Sequence, residues 1–362
     1  MDLLHNPYRG RGLPARADFA RGSVESDPTA ALALYARCPV AATTPLLEPV
    51  GLARELDVGS VHLKDERGRM GLGSFKALGA SHVIAREASS RLAELDDTMR
   101  DMSKVLEDRV YVCASAGNHG LSVAAGARVF GARSVIYLGD AVPDEFEARL
   151  RDKGAEVVRW GSTYEESMAA AARDAEANDW TLLSDSSWPG YVEIPMRVME
   201  GYLIMGAEVR DQIPDRPTHV FLQAGVGGMA AAIASFVRAT WGESPTICVV
   251  EPTFAPALLE SVRAGHPVDA PGPVSTMGRL DCKVPSHIAL AALSVDADWF
   301  LTVTDEQAAD TVDLLESHGI TTTPSGAAGV CALHHLGRER GSVGLSTASR
   351  VLAFVTEGRQ DR

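Results

Sequence analysis

The sequence predicts an α/β fold made of two open, mostly parallel twisted sheets with helices on both faces. Three observations support this fold class. Short β-rich runs are each followed by a helical run, which is the pattern of βαβ units. Glycine-rich turns stand at several of the strand–helix junctions. The units gather around two centres, near residues 110–185 and 218–356, so two α/β domains with a cleft between them are expected.

The predicted elements follow one another in a regular order. The first forty residues are rich in Gly, Pro and Arg and are predicted to form a surface arm. A strand is expected at 58–66, a helix after the glycine turn at residue 73, and a charged amphipathic helix over 84–108. Further strand–helix pairs are predicted at 109–131, 134–154, 156–178, 219–237 and 299–319, with single strands at 181–185, 246–252 and 351–358.

The charge balance excludes several classes of partner. The chain has 362 residues, and 34 Lys and Arg stand against 48 Asp and Glu, which gives a net charge of −14. Nucleic acids and anionic membranes attract basic surfaces, so neither is an expected partner. An uncharged run from Thr218 to Val237 contains closely spaced glycines and fits a strand, a turn and a helix better than a membrane span. The N-terminus lacks an apolar leader, so a cytoplasmic protein is expected.

Disulfide and metal chemistry are not expected. The cysteines are odd in number, widely spaced and never in a C-x-x-C pattern, which is typical of buried thiols. His334 and His335 are adjacent, but no carboxylate, Cys or third His stands at ligand spacing in the sequence. The sequence therefore predicts no metal site.

A glycine-rich turn after the predicted strand at residue 219 has the composition of an anion-binding loop. Gly225, Val226, Gly227 and Gly228 lead directly into an Ala-rich helix, whose N-terminal N–H groups favour negative charge. Three interpretations stay open: a plain βα turn, a G-x-G-x-x-A dinucleotide fingerprint with Glu251 as the ribose-binding acid, or a loop for a cofactor monophosphate.

A lysine stands directly after another glycine turn, in the run Gly73-Ser-Phe-Lys76. The helix dipole and burial among apolar neighbours are expected to depress the pKa of Lys76 and leave a neutral amine. Together with a phosphate loop, such an amine suggests a Schiff base with the aldehyde of pyridoxal phosphate. Taken alone, Lys76 has the simpler interpretation of a surface lysine.

A third motif, Ser115-Ala-Gly-Asn-His-Gly120, follows a predicted strand and begins a helix. Its backbone N–H groups and hydroxyl suit a substrate carboxylate, and Asn118 suits a ring oxygen. A capped helix start explains the Ser and Gly residues but not the Asn-His-Gly sequence.

These motifs, in this order, resemble those of the fold-type II pyridoxal phosphate enzymes, the superfamily of the tryptophan synthase β-subunit. Serine and threonine dehydratases, threonine synthase and cysteine synthase belong to it. Most similar is the diaminopropionate ammonia-lyase family, through residues 64–79, the Trp-Pro-Gly-Tyr segment at 188–191, residues 217–230 and the Thr-Glu-Gly sequence at 356–358. The resemblance extends from about residue 40 to residue 358.

The resemblance implies a role for each matching residue. Lys76 would bind the cofactor and remove the α-proton of the substrate. Asp185 would protonate the leaving group, although a helix or turn cap is an equal alternative for this residue. The phosphate would be held by Gly225, Val226, Gly227 and Gly228, the ring by Asn118 and Thr356, and the substrate by Ser115, Ala116, Gly117 and His119.

The chain departs from the ammonia-lyase family in two places. Ala116 stands where that family usually carries an Asp that serves D-isomers, so we expect only L-substrates to react. Asp281 and Lys283 add charge to a segment that is mostly apolar in the family. They mark either a different substrate side chain or a surface salt pair.

The expected function is pyridoxal phosphate-dependent β-elimination from a small L-amino acid, giving a 2-oxo acid and ammonia in the manner of diaminopropionate ammonia-lyase. Asp185 favours this reaction. Ala116 favours the alternative, a serine or threonine dehydratase-like elimination or a β-replacement. A NAD-dependent dehydrogenase and a non-catalytic binding protein are further alternatives. The resemblance also implies a homodimer, a large domain of residues 1–104 and 193–362, and a small mobile domain of residues 105–192.

Overall fold

The computed structural model describes residues 1–14, 24–94 and 101–359. The strands are β1 (Leu3–His5), β2 (Leu46–Leu47), β3 (Ser60–Asp65), β4 (Val110–Ala114), β5 (Arg133–Leu138), β6 (Glu156–Arg159), β7 (Thr181–Leu182), β8 (His219–Gln223), β9 (Thr246–Pro252), β10 (Trp299–Val303) and β11 (Arg350–Val355). The helices are α1 (Thr29–Tyr35), α2 (Val50–Glu55), α3 (Gly79–Glu94), α4 (Asn118–Val129), α5 (Asp144–Asp152), α6 (Tyr164–Asn178), α7 (Glu193–Gln212), α8 (Gly228–Trp241), α9 (Ala257–Ala264), α10 (His287–Asp296), α11 (Asp305–Ser317) and α12 (Pro324–His335).

The strands form two sheets, as predicted. The larger sheet has the order β1-β10-β9-β8-β11-β3-β2, and the smaller has the order β6-β5-β4-β7. All neighbouring pairs are parallel except the two edge strands of the large sheet, β1 and β2, which pair antiparallel. Every strand of the smaller sheet lies within residues 110–182, between the two parts of the chain that build the larger sheet.

Helices cover both faces of the large sheet, because side chains alternate between the faces along each strand. In β11, Leu352 and Phe354 join the core formed with α3, α7 and α8, whereas Val351 and Ala353 join the core formed with α11 and α12. All four side chains are buried. Among the helices of the described residues, none combines the length and apolarity needed to cross a membrane.

The predicted surface arm is wrong for part of its length. Leu3–His5 is an edge strand paired with β10, and Asn6 and Leu13 are buried against the end of α10. The Gly and Arg content of this stretch concealed the short apolar run that pairs. The predicted amphipathic helix at 84–108 begins earlier, at Gly79, and residues 102–108 form turns; residues 95–100 lie outside the described part of the chain.

A buried ionic cluster joins the end of β3 to α7. The fully buried Arg69 guanidinium donates to both carboxylates of the cluster, Glu66 at 2.6 Å and Glu208 at 2.7 Å. The Lys64 ammonium lies 2.6 Å from Glu208, so two cations balance two anions. The pKa of Glu208 is held below its ordinary value, because Arg69 and Lys64 outweigh the opposing effect of burial. This cluster anchors the turn that leads to Lys76.

Replacing Arg69 with methionine should lower the free energy of unfolding by about 3–5 kcal/mol, because the two carboxylates would stay buried without their main partner. Methionine keeps much of the volume, so the loss reports on charge. Urea denaturation of R69M against the wild type measures the difference, and R338M, at an exposed arginine, is the control. A loss below about 1 kcal/mol, the range of surface ion pairs, would contradict this prediction.

Candidate active site

The segment that carries Lys76 is hydrogen-bonded to the end of β11. Gly73 has a positive φ of 82°, which favours glycine, and its carbonyl accepts from the Gly358 N–H at 3.0 Å. The Phe75 N–H donates to the Thr356 carbonyl at 3.1 Å. The lysine at 76 and the threonine at 356 are therefore brought to the same edge of the large sheet, at the carboxyl ends of its strands.

Lys76 forms a partly buried ion pair with Asp185, which comes from the segment after β7. Its Nζ also lies 5.3 Å from the Phe75 ring and 5.9 Å from the Tyr202 ring. Burial alone lowers the pKa of Lys76, but the Asp185 carboxylate outweighs it, so the pKa is raised above its ordinary value. The predicted depressed pKa is wrong for this state of the protein, because the sequence gives no sign that Asp185 lies beside the amine.

The glycine loop at 225–228 stands where β8 meets α8, as predicted. Gly227 has a φ of 101°, and α8 begins at Gly228 with its N–H groups directed toward the loop. A Cβ at Gly225 would lie 2.9 Å from Cys282 Sγ, so a side chain there would close the loop. The Val226 carbonyl accepts from the Ser286 N–H at 3.0 Å, which fixes the middle of the loop.

Glu251 does not face this loop as a ribose-binding acid would. Its buried carboxylate accepts from the N–H groups of Leu258 and Leu259, both at 2.8 Å, and thereby caps α9. Burial raises the pKa of Glu251 to about 8, against the effect of these hydrogen bonds. Glu251 is therefore not placed to bind a ribose hydroxyl, and the dinucleotide interpretation of the glycine loop lacks the acid that it requires.

The Ser115–Gly117 turn follows β4 and leads into α4. The Gly117 N–H donates to Ser115 Oγ at 3.3 Å, and Ala116 is half-buried between them. Asn118 is buried, and its side-chain amide donates to the Glu357 carboxylate. Glu357 directly follows Thr356, so Asn118 contacts the residue next to Thr356, and the two predicted ring-binding residues lie near each other.

His119 does not present a free ring to the cleft. Its Nε2 donates to the Leu183 carbonyl at 2.8 Å, and burial holds its pKa below the ordinary value, so the ring is neutral. Leu183 lies two residues before Asp185. His119 therefore fixes the segment that carries the aspartate.

Thr356 is buried at the end of β11, next to Gln223 at the end of β8. The Gln223 amide nitrogen lies 3.2 Å from Thr356 Oγ1 and 3.0 Å from the Phe354 carbonyl. Because Gln223 donates to it, the hydroxyl of Thr356 keeps its own proton for another acceptor. Gln223 was not predicted; its signal is a polar residue ending an otherwise apolar strand.

Arg279 is a second residue that sequence reasoning missed. Its guanidinium would lie 3.2 Å from a Cβ at Gly117, 3.8 Å from Glu357, and 5.5 Å from the Phe146 ring. It therefore spans from the large sheet to the Ser115–Gly117 turn. Lys283, four residues on, pairs with Asp281 and donates to the carbonyls of Phe254 and Pro273, which favours the salt-pair interpretation over a contact with substrate.

The family of pyridoxal-phosphate dependent enzymes matches residues 39–357, and the chain belongs to this family. Its fold is that of fold-type II, and its cofactor is pyridoxal 5'-phosphate, which confirms the resemblance.

Individual relatives make the similarity more specific. The chain is 32% identical to a diaminopropionate ammonia-lyase of Salmonella typhimurium, over 96% of this chain and 92% of that protein. A crystal structure of diaminopropionate ammonia lyase from Escherichia coli with an aminoacrylate-PLP azomethine reaction intermediate is 27% identical, with a TM-score of 0.87 over 99% of this chain and 94% of that one. A biosynthetic L-threonine dehydratase of Mycobacterium bovis is 28% identical over 89% of this chain and 69% of that protein.

The residues at the site fit this cofactor. The glycine loop offers backbone N–H groups to a phosphate. A Cβ at Gly228 would lie 3.9 Å from the Tyr202 ring and 3.9 Å from the Asp185 carbonyl, and both of these residues are neighbours of Lys76. Ser74 Oγ is buried, and among the described residues it has no hydrogen-bond partner. A buried hydroxyl without a partner, two residues before Lys76, suits an additional contact with the cofactor.

Proposed function

We propose that the protein is a pyridoxal phosphate-dependent ammonia-lyase that eliminates ammonia from L-2,3-diaminopropionate or a close analogue, giving a 2-oxo acid and ammonia. The observation that carries the proposal is the pairing of Lys76 with Asp185. One site then holds an amine suited to take a proton from Cα and an acid suited to give one to the leaving group. The ammonia-lyase relatives support the same reaction.

Lys76 acts first as an anchor and then as a base. When bound, pyridoxal phosphate supplies the electron sink that acidifies the α-proton of the substrate. The substrate amine displaces Lys76 from the cofactor, and the freed Nζ accepts the α-proton. Phe75 and Tyr202 flank this amine and limit its contact with water.

The pKa of Asp185 depends on whether Lys76 carries a positive charge. Burial raises the pKa of this carboxyl, but the Lys76 ammonium lowers it by more, so without cofactor the pKa lies below its ordinary value. Once Lys76 no longer carries a positive charge, burial dominates and the carboxyl holds a proton more strongly. That proton goes to the β-amine as its bond to carbon breaks.

The other residues of the site bind the cofactor and the substrate. The glycine loop and Ser74 hold the phosphate, Asn118 meets the ring hydroxyl, and the Thr356 hydroxyl donates to the ring nitrogen, while Gln223 keeps that hydroxyl oriented. The Ser115–Gly117 turn holds the substrate carboxylate. Arg279, beside Gly117, adds positive charge to that end of the cleft.

The ratio of products tests the proposal. Diaminopropionate carries two amino groups, so its elimination followed by hydrolysis releases two ammonia per 2-oxo acid, whereas serine releases one. We expect kcat/KM to be larger for L-2,3-diaminopropionate than for L-serine or L-threonine. A preference for the hydroxy acids would favour the dehydratase alternative, which the threonine dehydratase relative and Ala116 support. A product that keeps an added nucleophile would indicate β-replacement.

The enzyme should use only L-isomers. A general base contributes about 10²–10⁴-fold to a rate, and the methyl group of Ala116 supplies none on the face opposite Lys76. We therefore expect D-diaminopropionate to react at least about 100-fold more slowly than the L-isomer. A116D should raise turnover of the D-isomer, while A116S, which adds a polar atom without a base, should not. Equal wild-type rates for both isomers would contradict the prediction.

We further propose that residues 105–192 form a small domain that moves toward the rest of the chain on substrate binding, and that the protein is a cytoplasmic homodimer. The position of Asp185 and Asn118 on one side of the cleft, and of Lys76 and Thr356 on the other, supports the closure. Light scattering should give about twice the chain mass of 38.4 kDa. A monomeric mass would exclude the dimer.

A further inference from the structure

Two adjacent histidines meet a carboxylate far from the active site. His334 and His335 end α12, and their ring centroids lie 4.2 Å apart. Asp310 faces them from α11, which packs alongside. The sequence predicted no metal site here because Asp310 precedes His334 by 24 residues (334 − 310), outside any local ligand spacing. The packing of α11 against α12 brings the carboxylate to the two histidines.

The three ligand atoms have the separations of a metal centre. His335 Nε2 lies 3.3 Å and His334 Nδ1 lies 3.8 Å from Asp310 Oδ2, and all three atoms lie within 4.8 Å of one another. Metal–ligand bonds of about 2.0–2.1 Å in a tetrahedral site place ligand atoms about 3.3–3.4 Å apart. Small side-chain rotations bring this set to that geometry, with a fourth position open to water.

The tautomer of His335 is already the one that a metal needs. Its Nε2 is buried and, among the described residues, makes no hydrogen bond. The ring interacts with the backbone of Gln307, and because Nε2 makes no hydrogen bond, Nδ1 is left for that contact. An N–H at Nδ1 leaves the lone pair on Nε2, directed to Asp310. Metal-bound histidines characteristically donate their other N–H to a carbonyl or carboxylate in this way.

His334 would lose only a weak contact by binding a metal ion. Its Nδ1 lies 3.3 Å from Thr311 Oγ1, a long contact, and the Thr311 hydroxyl donates instead to the Gln307 carbonyl at 2.8 Å. Asp310 is exposed, and as a mere surface ion pair it would contribute at most about 1 kcal/mol. A bound cation would draw together three groups that otherwise interact weakly.

We propose that Asp310, His334 and His335 form a binding site for a divalent transition metal ion, with Zn²⁺ as the best fit. Two imidazoles and one carboxylate suit Zn²⁺, Co²⁺ or Ni²⁺, whereas Mg²⁺ and Ca²⁺ prefer sets of oxygen ligands. The ion joins the end of α12 to α11. The other end of α12 borders the active site, where Ser325 Oγ accepts from the Arg279 N–H at 3.1 Å, so the metal steadies that helix without touching the reacting atoms.

Titration of the chelator-treated holoenzyme with ZnCl₂ alone tests the site by calorimetry and by thermal unfolding. We expect the wild type to bind one more Zn²⁺ than H334Q/H335Q and to unfold at a higher temperature with Zn²⁺, but not with the same concentration of MgCl₂. D310N should weaken binding at least about tenfold. H318Q, which removes a histidine that pairs with Glu55, is the matched control and should bind as the wild type does.

Two results would exclude the proposed metal site. Equal stoichiometry and affinity for the wild type and H334Q/H335Q would overturn the proposal, as would no binding by the wild type at 100 µM ZnCl₂. Since H335Q alters a partly buried ring, H334Q alone is measured as well; if both variants fold and only the wild type gains stability with Zn²⁺, the site stands. The rate of 2-oxo acid release should be the same in H334Q and the wild type.

Discussion

Replacing Lys76 with alanine should lower kcat for elimination by at least about 10⁴-fold, because this change removes both the covalent anchor of the cofactor and the base at Cα. The loaded protein should also lose the visible absorbance that arises from cofactor bound through the lysine. Release of 2-oxo acid, followed by coupling to a dehydrogenase, measures the first effect, and absorbance after gel filtration measures the second.

Two companion variants make the Lys76 result specific. K76R keeps a positive charge beside Asp185 and so preserves the ion pair, but it provides no amine of suitable basicity; it should fold normally and be as inactive as K76A. K104A, at an exposed lysine, should match the wild type. If K76R retained more than a few per cent of activity, Lys76 would not be the group that removes the proton.

Replacing Asp185 with asparagine should have the second-largest effect, a loss of about 10²–10⁴-fold in kcat on L-2,3-diaminopropionate. Asparagine keeps the shape of the side chain and its contact with Lys76 but cannot deliver a proton. The loss should be much smaller on β-chloroalanine, since chloride leaves without one. Steady-state release of 2-oxo acid from the two substrates gives the comparison.

The ratio of the two losses is the informative quantity for Asp185. Equal losses on both substrates would mean that this residue orients Lys76 and does not protonate the leaving group. The pH profile offers an independent readout: if Asp185 is the acid, kcat for the diamino substrate falls as pH rises above its working pKa, and that fall should be absent in D185N. D313N, at an exposed aspartate, is the control.

Much of the fold was predictable because its signals are local. Strands β4, β5, β8, β9 and β11 are apolar runs followed by a turn, and the glycine motifs at 117 and 225–228 stand at junctions between a strand and a helix. The parallel order then brings Lys76, the loop at 225–228 and Thr356 to one edge, since the carboxyl ends of parallel strands converge there.

What sequence reasoning missed depends on contacts between distant residues. The raised pKa of Lys76 comes from Asp185, 109 positions away, and the donor to the Thr356 hydroxyl comes from Gln223, 133 positions away. Arg279 reaches Gly117 across the cleft. The pairing of β1 was hidden by its short length, since three residues leave no period to recognise. None of these pairs follows a spacing rule.

The position of β11 has a kinetic consequence. This strand pairs with β3 on one side and β8 on the other, so it joins two halves of the large sheet that come from distant parts of the chain. Before it inserts, neither half has its partner, and the loop-closure entropy of the whole intervening segment must be lost in that step. Because Thr356 and the residues that fasten the Lys76 segment directly follow β11, the ability to bind cofactor should return on refolding together with the final closure of the sheet, and no earlier.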